Sequence, residues 1–335
     1  MYHSKISGLG YYVPENVVTN DDLSKIMDTN DEWIQERTGI KERRHIIRGE
    51  DTTTSMGVKA AKIAIERSKV AKEDIDFVIF ATLSPDYYFP GPGVLVQRDL
   101  GLRTVGALDV RNQCSGFIYA LSVADQYIKT GMYKNILIIG SEVHSTGLDM
   151  TDRGRGVSVI FGDGAGAAIL SREEDLSKGI LSTHLHSEGQ HAEELIVKAP
   201  GMGNRWVTDI IADNDPTDES YFPYMNGQFV FKNAVVRFSE VINEGLVANN
   251  LSVSDIDMLI PHQANLRISQ FIQQKFGLND NQVFNNIQKY GNTTAASIPI
   301  ALTEAWELGK IKEGDTVVLA AFGSGFTWAS AIIKW

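Results

Sequence analysis

A single cysteine, Cys114, is the only thiol in 335 residues. No intramolecular disulfide can brace the chain, so this sulfur is either a small buried hydrophobe or a chemical group. No stretch approaches the roughly 18–20 continuous apolar residues needed to span a bilayer, and the N-terminal MYHSKISGLGYYVPEN has no basic segment leading into an apolar run. Membrane insertion is therefore not expected, and a cytoplasmic location is. Basic residues are also short: 31 Lys and Arg stand against 42 Asp and Glu, a formal net charge of -11. Binding nucleic acid through counterion release is excluded as the main business, and any anionic partner has to meet a local basic patch. What is plentiful is apolar residues, 43% of the chain, enough for one large domain or two closely packed halves.

Apolar, β-rich runs alternate with helical patterns: FVIFATL at 77–83, a helix-like QCSGFIYALSVADQYIKTG, NILIIGS at 135–141 and VSVIFGDGAGAAILS at 157–171. That alternation predicts an α/β protein with much parallel sheet. The order then returns. DIDFVIF from Asp74 is echoed by DIDMLIP from Asp255, and NILIIGS by TVVLAAFGSG. Gly131 follows Cys114 by 17 residues and Gly309 follows Asn292 by 17. The chain reads as an internal duplication, with halves at 1–172 and 173–335, which would bring the helix starts at Cys114 and Asn292 to a shared interface. One segment, 198–227, is rich in Gly, Pro, Asn and Asp and breaks the rhythm; a loop of that length is expected to serve as a lid or interface element.

Cys114 follows a predicted strand and begins a helix whose Phe117, Leu121, Ala124 and Ile128 keep helical spacing. A helix start favours thiolate over thiol, so a lowered pKa is expected there. Taken alone, the residue reads more readily as a buried, inert cysteine. His262 follows an apolar strand, at the sheet edge where α/β folds hold ligands. Asn292, in KYGNTTAASIP, is by itself a plausible helix N-cap. The trio, together with the repeat, points to nucleophilic chemistry.

Six stretches, DEWIQERTGIKERR, NQCSGF, DRGRGVSVIFGDGAGAA, PHQANLRI, YGNTTAAS and FGSGFTW, resemble in order and spacing the β-ketoacyl-acyl-carrier-protein synthase III family of the thiolase-like superfamily, over essentially the whole chain. The resemblance implies a five-layered αβαβα fold from two duplicated halves, a homodimer, and activity without metal or redox cofactor, with a coenzyme A thioester as substrate. It implies a decarboxylating Claisen condensation of an acyl-CoA primer with malonyl-acyl carrier protein. Cys114 resembles the acylated nucleophile, His262 and Asn292 its partners in decarboxylation, and the N–H groups of Cys114 and Ser324 the oxyanion hole. Ser324 stands where the family commonly has Gly. Thr29, Trp33, Arg37 and Arg153 resemble the coenzyme A site, with Trp33 and Arg153 sandwiching the adenine, although a core Trp and a surface Arg fit the residue types as well. Phe89 resembles the residue that crosses the dimer to close the acyl pocket, in a neighbourhood that departs from an acetyl-specific one. Lys232, Arg267 and Lys275 resemble the carrier-protein docking surface, with Gln274 where a basic residue is common; ordinary solvated charges are the alternative reading.

Two further signals carry less. GDGAGAA has the wrong spacing for a dinucleotide loop, and glycines in an apolar strand more often serve close packing. His184, His186 and His191 lack a carboxylate or thiol at metal-ligand spacing. Two other functions compete with the condensing enzyme of fatty-acid initiation. One is a secondary-metabolic ketosynthase of polyketide, resorcinol or quinolone type, which joins longer acyl chains and is suggested by the 198–227 segment and the Phe89 neighbourhood. The other is a non-catalytic carrier-protein binder or simple acyltransferase, in which His262 and Asn292 would have no work.

Overall fold

The computed structural model describes residues 2–201, 203, 208, 215 and 217–335. The first sheet contains β1 (His3–Tyr12), β2 (Phe77–Ala81), β3 (Gly106–Val110), β4 (Asn135–Glu142) and β5 (Gly164–Glu173), in the order β1-β5-β4-β2-β3. The second contains β6 (Gly179–Ser187), β7 (Met258–Pro261), β8 (Thr316–Gly323) and β9 (Thr327–Lys334), in the order β7-β8-β9-β6. The two repeat one plan. In each, a parallel pair (β2 with β4, β7 with β8) is followed by two antiparallel steps. Where the first sheet adds β3, the second has, among the described residues, only a parallel bridge between Leu259 and Val283.

The continuous apolar runs are strands buried on both faces, as parallel strands covered by helices must be. In β4, Ile136 and Ile138 face the central layer, while Leu137 and Ile139 face outward onto Met56 and Ala60. In β8, Val317, Leu319 and Ala321 face the centre, and Val318, Ala320 and Phe322 face outward with Phe238 and Ile242. Each such Val, Leu, Ile, Met or Phe side chain contributes about 1.5–3 kcal/mol on burial. The chain supplies helices to match. α1 is Asp31–Thr38, α2 Thr53–Ser68, α3 Pro92–Leu100, α4 Gly116–Lys129, α5 Gly227–Ala248, α6 Leu266–Phe276 and α7 Ser297–Glu307. α2 and α3 cover the outer face of the first sheet, α5 with α6 the outer face of the second, and α4 and α7 lie between the sheets in contact with both. This is the five-layered αβαβα fold of two repeated halves.

The structure corrects one detail of the repeat. Each central helix is preceded by a 3-10 turn, Gln113–Ser115 before α4 and Thr294–Ala296 before α7, and each turn opens on a left-handed residue, Gln113 at φ 42° and Thr294 at φ 51°. The counterpart of Cys114 is therefore Ala295, not Asn292. The matching 17-residue intervals arise because Asn292 lies three residues before Ala295 while α7, at 11 residues, is three shorter than α4, at 14. Each turn also presses on a strand of the other half. A Cβ on Gly323 in β8 would overlap Cys114, and one on Gly140 in β4 would overlap the carbonyl of Ala295. In the GDGAGAA run, a Cβ on Gly166 would overlap Pro299 of α7, so this glycine lets the central helix approach β5.

The ends of the 198–227 segment are tied down. Leu195–Ile196 pairs with Tyr224–Met225, and the N–H groups of Lys198 and Ala199 donate to the Ser220 carbonyl. Residues 202, 204–207, 209–214 and 216 lie outside the described residues. Among the described residues, no helix is long and apolar enough to cross a membrane.

Candidate active site

Cys114 sits in the 3-10 turn between β3 and α4, buried and unpaired with any other sulfur. Three donors reach its Sγ: its own backbone N–H, the backbone N–H of Ser324 and the Thr294 hydroxyl. The two N–H groups expected as an oxyanion hole thus converge on the sulfur. Ser324, just beyond β8, is anchored by its hydroxyl donating to the Leu195 carbonyl at 2.5 Å. The expected fall in the thiol pKa is not found. Burial pushes the Cys114 thiol up to about 12, helped by the Glu142 carboxylate and only partly opposed by the three donors. Desolvation of a charge in a closed site outweighs the polarity of a turn end. Glu142, at the end of β4, is itself raised to about 7 by burial, although Thr82, Ser84 and Leu83 donate to it.

His262 follows β7 directly, with its backbone N–H donating to the Ala320 carbonyl. Its Nδ1 lies 2.6 Å from Ser297 Oγ, at the start of α7. Burial alone pushes its pKa down to about 3, so the imidazole is neutral at physiological pH. Gln263 N–H donates to the same Ser297 oxygen at 3.4 Å; with the serine hydroxyl donating to Nδ1, the ring proton sits on Nε2. Nε2 is buried without a hydrogen-bond partner among the described residues. Asn292 is buried in a backbone bridge with Phe161, not at a helix N-cap. Its Oδ1 accepts from Thr294 N–H at 2.8 Å, which fixes the amide and leaves Nδ2 as the group free to donate. His262 and Asn292 are thus both anchored to the stretch 292–297, whose 3-10 turn packs against the Cys114 turn.

A cavity of about 940 Å³ opens on Cys114, lined among others by Tyr88, His144, Phe161, Val197 and Ser324. The tied-down ends of the 198–227 segment contribute Ala199, Pro200 and Tyr221 to its wall. Trp33 and Arg37, one turn apart on α1, are stacked with the guanidinium 4.6 Å from the ring centre. Arg153 does not face Trp33. Asp149 binds its Nε at 2.5 Å, its Nη1 donates to the Thr217 carbonyl, and its guanidinium lies over Phe222 at 5.3 Å. Arg155, which the sequence did not single out, lies 5.9 Å from the Trp33 ring. Thr29 is near the start of this helix, its hydroxyl buried without a partner among the described residues.

Phe89 projects into solvent, 81% exposed, with Tyr87 and Tyr88 beside it also exposed, so it closes no pocket within its own chain. Arg267 on α6 and Lys232 on α5 share a surface, with Arg267 over the ring of Phe231 at 5.9 Å. Lys275 lies two turns along α6 with exposed Phe271 between them. His184 and His186 both bond Glu244, a carboxylate far away in sequence, and His191 packs on Phe229 and Phe326. Among the described residues, no group of three or more His, Cys, Asp or Glu is placed to hold a metal ion. The sequence reading missed Ser297, Thr294, His144 and Glu142. The first two stand in the quoted stretch YGNTTAAS and had a signal in their nearness to Asn292; the other two had none, since only folding carries the end of β4 to the thiol.

Comparison with known proteins gives a consistent picture. The sequence profile described as 3-oxoacyl-[acyl-carrier-protein (ACP)] synthase III matches residues 108–189, and that of its C-terminal part matches 246–335. The chain is 44% identical over 333 residues to a β-ketoacyl-[acyl-carrier-protein] synthase III of Sulfurovum sp., covering 99% of this chain and 95% of that one. It is 45% identical over 332 residues to the enzyme of that name from Escherichia coli O1:K1, at 99% coverage of both. A crystal structure of 3-oxoacyl-[acyl-carrier-protein] synthase III from Aquifex aeolicus superposes with a TM-score of 0.90 at 43% identity, covering 99% of this chain and 100% of that one.

Proposed function

The chain belongs to the 3-oxoacyl-[acyl-carrier-protein] synthase III family, and from that premise we propose that Cys114 accepts an acyl primer from coenzyme A while His262 and Asn292 drive decarboxylation of malonyl-acyl carrier protein. The protein is a condensing acyltransferase that initiates fatty-acid synthesis; the secondary-metabolic alternative is not favoured by relatives that match over the full length. The observation that most supports the residue roles is the convergence of the Ser324 and Cys114 N–H groups on one buried sulfur.

In the first half-reaction, Sγ attacks the primer carbonyl and the two N–H groups stabilise the tetrahedral oxyanion. Coenzyme A leaves, and the acyl chain occupies the cavity. In the second, malonyl loses carbon dioxide, and its enolate oxygen accepts hydrogen bonds from His262 Nε2–H and Asn292 Nδ2–H. A histidine held down near 3 does this as a neutral donor, with no change of charge. The carbanion then attacks the Cys114 thioester and the 3-ketoacyl product departs, a ping-pong sequence. This chemistry calls for no redox cofactor, and we place it in the cytoplasm. Trp33, Arg37, Arg153 and Thr29 form the coenzyme A approach, in which Arg37 rather than Arg153 stacks on Trp33 in the present arrangement. The exposed Tyr87–Phe89 aromatics support a homodimer in which Phe89 reaches a neighbouring cavity. The reading is tested by incubation with a panel of acyl-CoAs, with the mass added to Cys114 as readout; an absence of thioester at every chain length defeats it.

Carrier protein, acidic in the systems this family serves, has to be met locally by a protein of charge -11. Lys232, Arg267 and Lys275 supply a compact basic surface, effective because a screening length of roughly 8–10 Å damps distant carboxylates. Arg267→Glu is expected to lower kcat/KM for malonyl-carrier protein about tenfold, less at high salt, with Cys114 acylation by acyl-CoA nearly unchanged. A parallel fall in both half-reactions, or in neither, removes Arg267 from the docking surface.

A further inference from the structure

A thiol held up near 12 is almost fully protonated at neutral pH, so acylation has to dispose of a proton, and His262 with Asn292 is committed to the other half-reaction. His144 follows Glu142 by two residues and is turned into the cavity that holds Cys114. Its Nε2 lies 2.8 Å from Thr294 Oγ1, and Thr294 Oγ1 in turn is the side-chain partner of Sγ. The two 3-10 turns that carry Cys114 and Thr294 pack against each other, which fixes the middle of this chain of three groups.

Building on the reading of Cys114 as nucleophile, we propose that Thr294 and His144 form a proton path for acylation: the Thr294 hydroxyl, which can rotate between Sγ and His144 Nε2, points its proton at Nε2 while the thiol is protonated, and the thiol hydrogen passes from Sγ to Thr294 Oγ1 as the hydroxyl proton passes to Nε2. The Sγ–carbon bond forms in the same step. When the tetrahedral intermediate collapses, the carbon–sulfur bond to coenzyme A breaks and the proton returns along the path to the departing sulfur, giving free coenzyme A thiol and a neutral imidazole. The surroundings suit a base that starts neutral. Burial holds His144 down to about 4, while the Asp163 carboxylate, which accepts from the His144 backbone N–H at 2.7 Å, favours the transient imidazolium. Other charged or titratable groups nearby are His45 beside His144, Glu142 beside Cys114, and Asp51, Asp86 and Arg111 on the wall of the same cavity.

The test is the pH dependence of Cys114 alkylation by iodoacetamide, followed by intact-protein mass, in the unsubstituted protein, Thr294→Val, Thr294→Ser and His144→Phe, each checked for folding by near-ultraviolet circular dichroism. With the path intact, the rate does not rise with pH between about pH 6 and pH 8, because His144, held near 4, stays neutral throughout, while Glu142, raised to about 7, gains a charge that disfavours thiolate. Thr294→Val and His144→Phe are expected to react about 100-fold more slowly at neutral pH and to gain roughly tenfold per pH unit as hydroxide takes over, while Thr294→Ser keeps the original profile. An unchanged rate and profile in Thr294→Val, or a tenfold-per-unit slope in the unsubstituted protein, overturns the path. If Thr294→Val fails to fold, the contrast between His144→Phe and Thr294→Ser decides in the same terms. Failure of the unsubstituted protein to take up an acyl group at Cys114 from any acyl-CoA is a separate result, which removes the nucleophile reading and the path with it.

Discussion

Cys114→Ala is expected to abolish condensation, with a loss on the order of 10⁴-fold or more, since no other group can hold the primer between the two half-reactions. The substitution removes one sulfur from a buried turn and leaves both backbone donors in place. Its effect on stability should be about 1 kcal/mol, readable as a small shift in the urea midpoint. Decarboxylation of malonyl-carrier protein should persist, uncoupled from bond formation, because the Ser297–His262 contact and the Thr294–Asn292 contact do not involve the sulfur. Release of carbon dioxide and loss of 3-ketoacyl product are measured on the same sample. Acyl transfer surviving in the alanine variant would sink the assignment of the nucleophile.

The second large effect separates the half-reactions. His262→Ala and Asn292→Ala should each still accept an acyl group on Cys114, read as added mass, while malonyl decarboxylation falls by about 10²–10³-fold for each donor removed. Asn292→Asp should resemble the alanine variant, because a carboxylate in that place repels an enolate oxygen instead of donating to it. The pH dependence has a definite sign: with His262 held near 3, it remains a neutral donor from about pH 5 upward, and its share of the decarboxylation rate should stay flat across that range. Equal loss of both half-reactions would assign the pair to activation of the thiol instead.

Much of this was legible in the sequence because it depends on period and order. The stretches ILII within NILIIGS and VVLAAF within TVVLAAFGSG are apolar at every position since both faces of β4 and β8 are covered, and the recurrence of DID before β2 and β7 marks equivalent places in two sheets. Residue types that carry chemistry, Cys114, His262 and Asn292, stood out by position relative to those strands. What the sequence withheld depends on contacts between distant segments. The direction of the Cys114 pKa is set by burial and by Glu142, 28 residues away, and neither shows in a local pattern. Arg153 is assigned to Trp33 by resemblance, but Asp149, four residues back, draws it to Phe222. Counting residues between Cys114 and Gly131 misled as well, since a shorter α7 compensated for the displaced Asn292.

The left-handed residue that opens each 3-10 turn bears on the ancestry of the molecule. Gln113 and Thr294 adopt the same unfavourable twist, which costs on the order of 1 kcal/mol at a residue with a side chain and more at a β-branched one. One turn goes on to a thiol and the other to the methyl group of Ala295. The twist therefore belongs to the plan the two halves share and not to the thiol: each half has this backbone, and one of them has a sulfur. The distorted backbone beside Cys114 is thus a feature of the shared scaffold, and a survey that took such a twist as a mark of chemistry would find two reactive centres where the chain has one thiol.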